Sequence, residues 1–298
     1  IAEILNCIRD NYKVKKNAEI TIEVNPGTVT ENKLLLYREA GINRLSIGLQ
    51  STKDKLLEEI GRIHKYEDFL NTYKLAKEIG FKNINVDLMI GLPEQTLQDV
   101  EDSLIDIITL NPKHISVYSL ILEEGTMLEE LVRSGKLKLP EDKEERNMYW
   151  KVKNILEKNG YNHYEISNFA KHGSESKHNL DCWKQKEYVG FGVAAHSYTN
   201  GVRYSNIENI EEYIKNYEEG KEEDNFVFHE KQTHNMKVKE YMMLGLRKIE
   251  GVCIQEFKEK FAANPIFVFK TELEKLVNEE LLEVNGDYIK LTNKGLDL

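Results

Sequence analysis

The sequence is poor in cysteine and has no long apolar run. Its 298 residues contain three cysteines, Cys7, Cys182 and Cys253, which lie far apart. An odd, widely spaced set is typical of reduced thiols in a cytoplasmic protein and excludes a disulfide framework. No stretch reaches the ~18 uncharged apolar residues that a membrane-spanning helix needs. The chain is therefore predicted to be cytoplasmic and not transmembrane, although a transient contact with a membrane is compatible with the sequence.

Positive charge is also in deficit. Lysine and arginine number 41 against 51 aspartates and glutamates, which gives a formal net charge of −10. Because proteins that bind a phosphate backbone need a basic face, this balance argues against nucleic acid as a partner. The first residues include no initiator methionine and no secretory signal. We therefore expect this chain to begin inside a longer protein.

Short β-rich runs alternate with longer amphipathic segments from the start to about residue 170. Four runs are clear and a fifth is weaker: 19–24, 44–49, 84–90, 114–120 and 161–166. Capping and turn residues, such as Gly41, Gly80 and Thr96 with Asp99, bound the helices between them. This alternation is typical of βα units on a parallel sheet. It predicts a partial (β/α) barrel of four or five parallel strands over residues 1–170.

The pattern changes after residue 170. Residues 171–228 join a stretch rich in His, Gly, Asn and Ser to an acidic helical stretch, and we expect an irregular connection there. From residue 229 short helices precede a hairpin, for which Asn285-Gly286 predicts a type I′ turn. Helices followed by a hairpin predict a small winged-helix-like domain over 229–298. Its 11 lysines and arginines against 12 acidic residues favour packing or partner docking over DNA binding.

Four polar residues lie at or just beyond the predicted strands. Glu23 ends the first strand, Gln50 closes the second, Arg62 follows it, and Asp87 lies in the third. In a parallel barrel the active site gathers at the carboxyl ends of the strands. Each residue alone also fits a cap, a turn or a buried ion pair, and Asp87 should be hydrogen-bonded because an isolated buried carboxylate is costly. Together, these groups could hold a zwitterionic ligand with ribose hydroxyls.

Four short motifs include these positions, Glu23-Val24-Asn25-Pro26, residues 43–51, Gly61-Arg62-Ile63-His64 and residues 87–96, and a fifth, Glu123-Glu124-Gly125-Thr126, follows them. In this order and spacing they resemble, over nearly the whole chain, the radical S-adenosylmethionine family of oxygen-independent coproporphyrinogen III oxidase-like proteins. The resemblance implies S-adenosylmethionine as a cofactor. Glu23 would take its amino group, Gln50 and Arg62 its polar periphery, and Asp87 its ribose. No residue is assigned a catalytic role.

The resemblance also implies a 4Fe-4S cluster. The family holds this cluster through a CxxxCxxC loop after its first strand, and a Gly-rich loop after the second strand contacts the methionine moiety. Neither motif occurs in this sequence. Cys7, Cys182 and Cys253 lack the spacing that thiolate ligation requires, so this chain has no metal ligands for the cluster. We expect the cluster ligands in a preceding segment rather than a naturally cluster-free protein.

A second informative motif is His178-Asn179-Leu180-Asp181-Cys182-Trp183. An isolated histidine here would be a loop cap, but imidazole is also an axial ligand of haem iron, and a tryptophan can cover a macrocycle. The segment resembles the HNxxYW motif of the haem-chaperone branch of the same family, with Cys182 in place of tyrosine. By resemblance, His178, Asn179 and Trp183 would bind haem, with His178 on the iron. The Cys182 thiol could ligate iron, react with a vinyl group or simply pack; His196 is expected to buttress the loop.

The resemblance leaves more than one function open. The favoured hypothesis is a haem chaperone that binds haem and delivers it to client haem proteins. The alternative is an oxidoreductase of porphyrin biosynthesis, an oxygen-independent coproporphyrinogen III oxidase that decarboxylates its substrate through a 5′-deoxyadenosyl radical. A third hypothesis is a radical S-adenosylmethionine enzyme for another small substrate. The motif at 178–183 favours the chaperone, and whether the chain is an enzyme stays open.

Overall fold

The structure is a computed structural model that describes residues 1–298, and it divides into two compact units, Ile1–Glu175 and Ser176–Leu298. The elements of the first unit are α1 (Ala2–Asn11), β1 (Thr21–Val24), α2 (Glu31–Glu39), β2 (Arg44–Gln50), α3 (Asp54–Glu59), α4 (Tyr66–Ile79), β3 (Asn83–Ile90), α5 (Leu97–Leu110), β4 (His114–Ser119), α6 (Met127–Arg133), α7 (Asp142–Lys158), β5 (Asn162–Glu165) and β6 (Asn168–Ala170). The strands form one open sheet in the order β1-β2-β3-β4-β6-β5. Its first four strands are parallel, so the predicted α/β architecture is confirmed.

The helices begin and end at the residues that the sequence marks. The Thr30 hydroxyl accepts a hydrogen bond from the Lys33 amide and caps α2. Gly80 ends α4 in the left-handed conformation, at φ 100°. Thr96 and Asp99 form a reciprocal capping box at the start of α5. These caps are local interactions, which is why the sequence alone locates them.

Alternation along the parallel strands separates an apolar face from a polar face. Ile47, Val86 and Ile115 point to the apolar face and are fully buried. Helices α4, α5 and α7 cover this face with the buried side chains of Phe69, Ala76, Leu104, Ile107, Val152 and Leu156. The core therefore lies between the sheet and these helices, and the opposite face of the sheet carries the polar residues.

The fifth predicted strand is present but antiparallel. β5 pairs with β6, and β6 pairs with β4, both in antiparallel register. Only Ile166 and Ser167 separate β5 from β6, and so short a connection cannot return the chain for parallel pairing. The expectation that 161–166 adds a parallel strand is therefore wrong, and the sheet has four parallel strands.

The second unit is more regular than expected. Its elements are α8 (Lys177–Trp183), β7 (His196–Thr199), β8 (Val202–Asn206), α9 (Ile210–Glu218), β9 (Phe226–Lys231), α10 (His234–Gly245), β10 (Val252–Cys253), α11 (Ile254–Phe261), α12 (Pro265–Val268), α13 (Lys270–Asn278), β11 (Leu282–Asn285) and β12 (Tyr288–Leu291), with 3-10 turns at Glu222–Asn225 and Gly295–Asp297. We expected residues 171–228 to be irregular. Instead, strands β7, β8 and β9 form an antiparallel sheet there, and β9 extends three residues beyond this segment. Asn200 and Gly201, at φ 51° and 72°, make the β7–β8 turn. This Asn-Gly pair is a hairpin signal that the sequence reading overlooked.

Helices α10 to α13 and the sheet β10-β12-β11 form the winged-helix-like part of this unit. Its core includes the buried side chains of Phe257, Leu273 and Ile289. The predicted hairpin is present, but of its turn residues only Gly286 has positive φ, at 58°. A type I′ turn needs positive φ at both central residues, so that prediction is wrong, and glycine at the first central position matches a type II′ turn. None of the helices combines the length and apolarity that a bilayer crossing requires.

Candidate functional site

The register of the parallel strands places the polar residues in two rows on one face. The first row is Glu23, Ser46, Asn85 and His114, and the second is Gly48, Asp87 and Ser116. Side chains two residues apart on a strand share a face, so both rows point the same way. Asp87 thus lies nearer the carboxyl end of the sheet than the first row, directly beyond the layer formed by Ser46, Asn85 and His114.

Both carboxylate oxygens of Asp87 accept hydrogen bonds from this layer. The Ser46 hydroxyl donates to Oδ2 at 2.9 Å, and the Asn85 amide nitrogen donates to Oδ1 at 2.7 Å. Burial raises the pKa of Asp87, and the hydrogen bonds from Ser46 and Asn85 oppose that rise. The expectation that Asp87 is hydrogen-bonded is confirmed. Each oxygen keeps a lone pair for a further donor.

A buried histidine fixes the direction of these hydrogen bonds. The Asn85 oxygen lies 2.6 Å from His114 Nδ1, and the Tyr164 hydroxyl lies 2.8 Å from His114 Nε2. Since the Asn85 NH2 donates to Asp87, its oxygen must accept the Nδ1 proton of His114, and Nε2 accepts from Tyr164. Burial lowers the pKa of His114 well below its ordinary value, which keeps the ring neutral. In the series of hydrogen bonds from Tyr164 through His114 and Asn85, every donor therefore points toward the Asp87 carboxylate.

The end of β2 brings two more predicted residues together. Arg62 Nη1 donates to the side-chain oxygen of Asn25 at 3.0 Å. A Cβ placed on Gly48 would lie 3.2 Å from Gln50 Nε2 and 3.5 Å from that Asn25 oxygen. Gly48 is also the register partner of Asp87. The structure therefore gathers Gln50, Arg62 and Asp87 around Gly48, where the Gln50 amide and the Asn25 oxygen occupy the space that a side chain would need.

Local backbone features aim these groups. The β2–β3 register shifts between Gly48 and Gln50, and Gln50 has a φ of 74°, which is unusual for a non-glycine residue. The loop that carries Arg62 is tied to the end of β2 because the buried His64 Nε2 lies 3.2 Å from the Leu49 carbonyl oxygen. Burial lowers the pKa of His64, so a neutral ring donates this hydrogen bond. An irregularity in the strand and one buried histidine thus position Gln50 and Arg62.

Glu23 is less constrained than the other predicted residues. It lies on the same face, opposite Ser46 in the register, and its side chain is solvent-exposed. It makes no hydrogen bond or ion pair, in contrast to Asp87. Glu23 therefore offers a free carboxylate at the start of the row, which suits an amino group of a ligand.

Sequence reasoning missed four residues of this site: Asn25, Ser46, Asn85 and His114. Asn25 and Ser46 lie inside the quoted motifs, so position alone could have marked them. Asn85 and His114 are almost fully buried, and nothing in the sequence separates them from ordinary core polar residues. Their role depends on the register between β3 and β4.

The second predicted site lies on α8. His178 is exposed, and its Nε2 lies 3.8 Å from the Cys182 sulfur, one helical turn later. Burial, together with the charge of Asp181, raises the pKa of the Cys182 thiol. The backbone N–H of Asn179 donates to the Ser176 hydroxyl and caps the helix. An exposed imidazole beside a protonated thiol can bind a metal through nitrogen.

The surroundings of Trp183 and His196 differ from those that the sequence predicts. The Arg247 guanidinium lies over the Trp183 ring, 4.4 Å from its centre. His196 stacks on His229 with ring centres 5.3 Å apart, and both rings are exposed. The structure therefore places His196 in a histidine pair on the β7–β9 sheet, and it records no side-chain contact of His196 with α8.

Comparison with known proteins defines the class first. The Radical SAM superfamily matches residues 1–107, and the HemN C-terminal domain matches residues 232–298. The structure of coproporphyrinogen III oxidase (HemN) from Escherichia coli, a radical SAM enzyme, superposes with a TM-score of 0.81 at 22% identity, over 99% of this chain and 70% of that one. The fold is thus that of a radical SAM protein.

Similarity to curated relatives narrows the class to one family. The heme chaperone HemW of Bacillus subtilis is 41% identical over 282 residues, which cover 93% of this chain and 73% of that protein. HemW of Lactococcus lactis is 35% identical over 298 residues, 100% of this chain and 78% of that protein. HemW of Haemophilus influenzae is 33% identical over 99% of this chain and 75% of that protein. The chain belongs to the HemW family of radical SAM proteins.

The family implies S-adenosylmethionine and a 4Fe-4S cluster as cofactors. The polar face fits the first, because Asp87 presents two oriented oxygens and Glu23 an exposed carboxylate on the same face. The residues of this chain do not fit the cluster, because Cys7, Cys182 and Cys253 are separate free thiols and no group of three metal-ligating side chains exists. No chemical step is therefore derived through the cluster.

Proposed function

We propose that this chain acts as a haem chaperone, which binds haem at α8 and passes it to a client haem protein. The observation that carries the proposal is the exposed His178 on α8, with a neutral sulfur 3.8 Å from its Nε2. The names of the HemW relatives support the same function. An exposed ligand suits a carrier, because cargo held at the surface can be handed over without unfolding the protein.

We assign the iron ligand to His178 rather than to Cys182. A thiol must lose its proton to bind iron, and burial raises the pKa of Cys182. A neutral imidazole needs no such step. Asn179 and Trp183 lie on the same short helix, where Trp183 offers apolar area to the macrocycle.

In the first unit, we propose that the polar face of the sheet binds S-adenosylmethionine. Asp87 would accept hydrogen bonds from the ribose hydroxyls, because Ser46 and Asn85 hold its two oxygens in place. The Glu23 carboxylate suits the amino group, and Arg62 with Gln50 suits the carboxylate and the polar periphery. Bound there, S-adenosylmethionine would supply a sulfonium group; the residues named here bind and orient it.

The haem assignment can be tested by absorbance titration of the protein with haem. The variant His178→Ala should lose at least tenfold in affinity and shift the Soret band, whereas Cys182→Ser should retain most of the affinity. His172→Ala is the matched control, because His172 is also exposed but lies in the first unit. Unchanged haem binding in His178→Ala would remove the imidazole from the iron, and a wild type that binds no haem would overturn the chaperone.

A further inference from the structure

Two buried hydrogen-bond donors meet beside the proposed haem helix. Trp183 Nε1 and Arg247 Nε are both shielded from solvent, and neither has a hydrogen-bond partner. The Arg247 guanidinium carbon lies 4.4 Å from the centre of the Trp183 ring. Buried donors in native proteins nearly always have an acceptor, so two orphaned donors in contact call for a specific explanation.

The charges around this pair do not supply the acceptor. Arg247 forms no ion pair, whereas Arg203, in the same unit, pairs with both Glu230 and Glu240. Lysines already hold the acidic groups next to α8, since Lys184 pairs with Glu256 and Lys186 with Asp181. Arg247 is therefore a cation that the protein leaves without a counter-ion. Stacking on Trp183 orients its planar fork.

We propose that Arg247 and Trp183 form a carboxylate site that binds a propionate group of the tetrapyrrole. Guanidinium and indole N–H groups are donors only, and a carboxylate accepts only, so the pairing satisfies both sides. The proposal rests on the proposed haem-binding function and adds a second point of attachment. Trp183 follows His178 by five residues on α8, roughly 7.5 Å along the helix axis and about 140° around it. A tetrapyrrole on the His178 side can therefore reach the Arg247 side only through a propionate arm that extends past the helix.

The test compares three ligands that separate the metal from the carboxylates: haem, haem dimethyl ester and metal-free protoporphyrin IX. Arg247→Met should lower the affinity for haem and for protoporphyrin at least tenfold. It should leave the affinity for the dimethyl ester at the wild-type level, because that ligand has no carboxylate. Arg247→Lys should recover part of the loss, since it restores the charge without the bidentate fork. Trp183→Phe, which keeps a ring but removes the N–H, should cause a smaller loss with the same selectivity.

The controls distinguish this site from the iron ligand and from overall charge. His178→Ala should weaken binding of haem and of its dimethyl ester but not of protoporphyrin, which is the opposite selectivity. Arg133→Met, which removes an exposed cation of the first unit, should change none of the three affinities. If Arg247→Met lowers the affinity for the ester as much as for haem, or changes neither, the carboxylate site is overturned.

Failure of the proposed function gives a different result. If the wild type binds haem no more tightly than protoporphyrin, and His178→Ala changes neither affinity while Arg247→Met lowers both, the iron assignment fails and the carboxylate site stands. Thermal melting of each variant checks the fold, because Arg247 also packs on Trp183. If Arg247→Met does not fold, Arg247→Lys and Trp183→Phe still test the site, since both retain the stacked pair.

Discussion

At the residue scale, the most informative side chain is the Asn85 amide. It accepts from His114 and Ser116 through its oxygen and donates to Ser46 and Asp87 through its nitrogen. All its polar atoms are used inside the protein, so its orientation cannot reverse without leaving a buried group unpaired. Asp87 consequently meets a donor on each oxygen. This arrangement makes the carboxylate a rigid acceptor in the middle of β3.

Asn85→Asp provides a prediction with a pH signature. The change keeps the shape but replaces the donor to Asp87 with a second carboxylate, and two adjacent carboxylates cannot both ionise cheaply. Loss of a hydrogen bond to a charged group is worth about 1.5–3 kcal/mol, so S-adenosylmethionine affinity at neutral pH should fall roughly tenfold or more. Lowering the pH should restore part of the affinity, because a proton shared by the two carboxyls re-creates a donor.

Calorimetric titration of S-adenosylmethionine at several pH values measures this effect. Tyr73→Phe is the control, because it also removes a hydrogen bond of a buried side chain, to the Leu110 carbonyl oxygen, away from the polar face. Its affinity should follow the wild type at every pH. A loss in Asn85→Asp that is the same at all pH values would mean that Asn85 has only a structural role.

At the scale of elements, short connections decide strand direction. β5 and β6 are antiparallel because two residues join them, although the sequence of 161–166 resembles the earlier strands. The C-terminal sheet shows a second local constraint. Gly251 has a φ of 81°, and a Cβ there would lie 2.1 Å from the Ile289 carbonyl oxygen. The approach of β10 to β12 therefore requires glycine at this position.

Gly251→Ala should destabilise the second unit strongly. The added methyl group meets backbone, which cannot move aside, in addition to the strain of a left-handed conformation. Gly286→Ala is the matched control, because Gly286 has a φ of 58° with nothing within 4 Å of the added Cβ. Gly286→Ala should lower the free energy of unfolding by about 1 kcal/mol, and Gly251→Ala should lower it clearly more. Urea unfolding followed by circular dichroism measures both; equal losses would show that conformation alone, and not close approach, selects Gly251.

At the scale of the whole molecule, the buried carboxylate that the proposed ligand site needs lowers the stability of the fold. Asp87 is held among buried polar groups, and burial raises its pKa above the ordinary value of 3.8. The folded protein therefore keeps a proton on Asp87 at pH values where the unfolded chain has already lost it. As the pH rises through the folded pKa, the wild type must carry a partly desolvated charge, which lowers its stability.

Asp87→Asn should therefore melt at a higher temperature than the wild type at neutral pH, although it should lose affinity for S-adenosylmethionine. Asparagine can still accept from Asn85 while it removes the buried charge. The difference in melting temperature should shrink as the pH falls through the folded pKa and vanish below about 3.8, where both forms are neutral. Scanning calorimetry across this range checks the sign. A variant less stable than the wild type at neutral pH would mean that the carboxylate stabilises the fold.

The sequence by itself determined the order of most strands and helices, and it singled out Glu23, Gln50, Arg62 and Asp87 as a candidate site. Caps, turns and alternation are local properties, and parallel strands bring their carboxyl ends to one edge of the sheet. The motif at 178–183 likewise marked α8. These features need no knowledge of which distant residues pair.

Only the tertiary structure decided how these residues are supported. The links from His114 through Asn85 to Asp87 depend on strand register, and the stacking of Arg247 on Trp183 joins residues 64 positions apart in the sequence. The placement of β6, and not β5, beside β4 is likewise a contact between distant segments. Hydrogen bonds and burial between distant segments have no local pattern, because they exist only once the chain has folded.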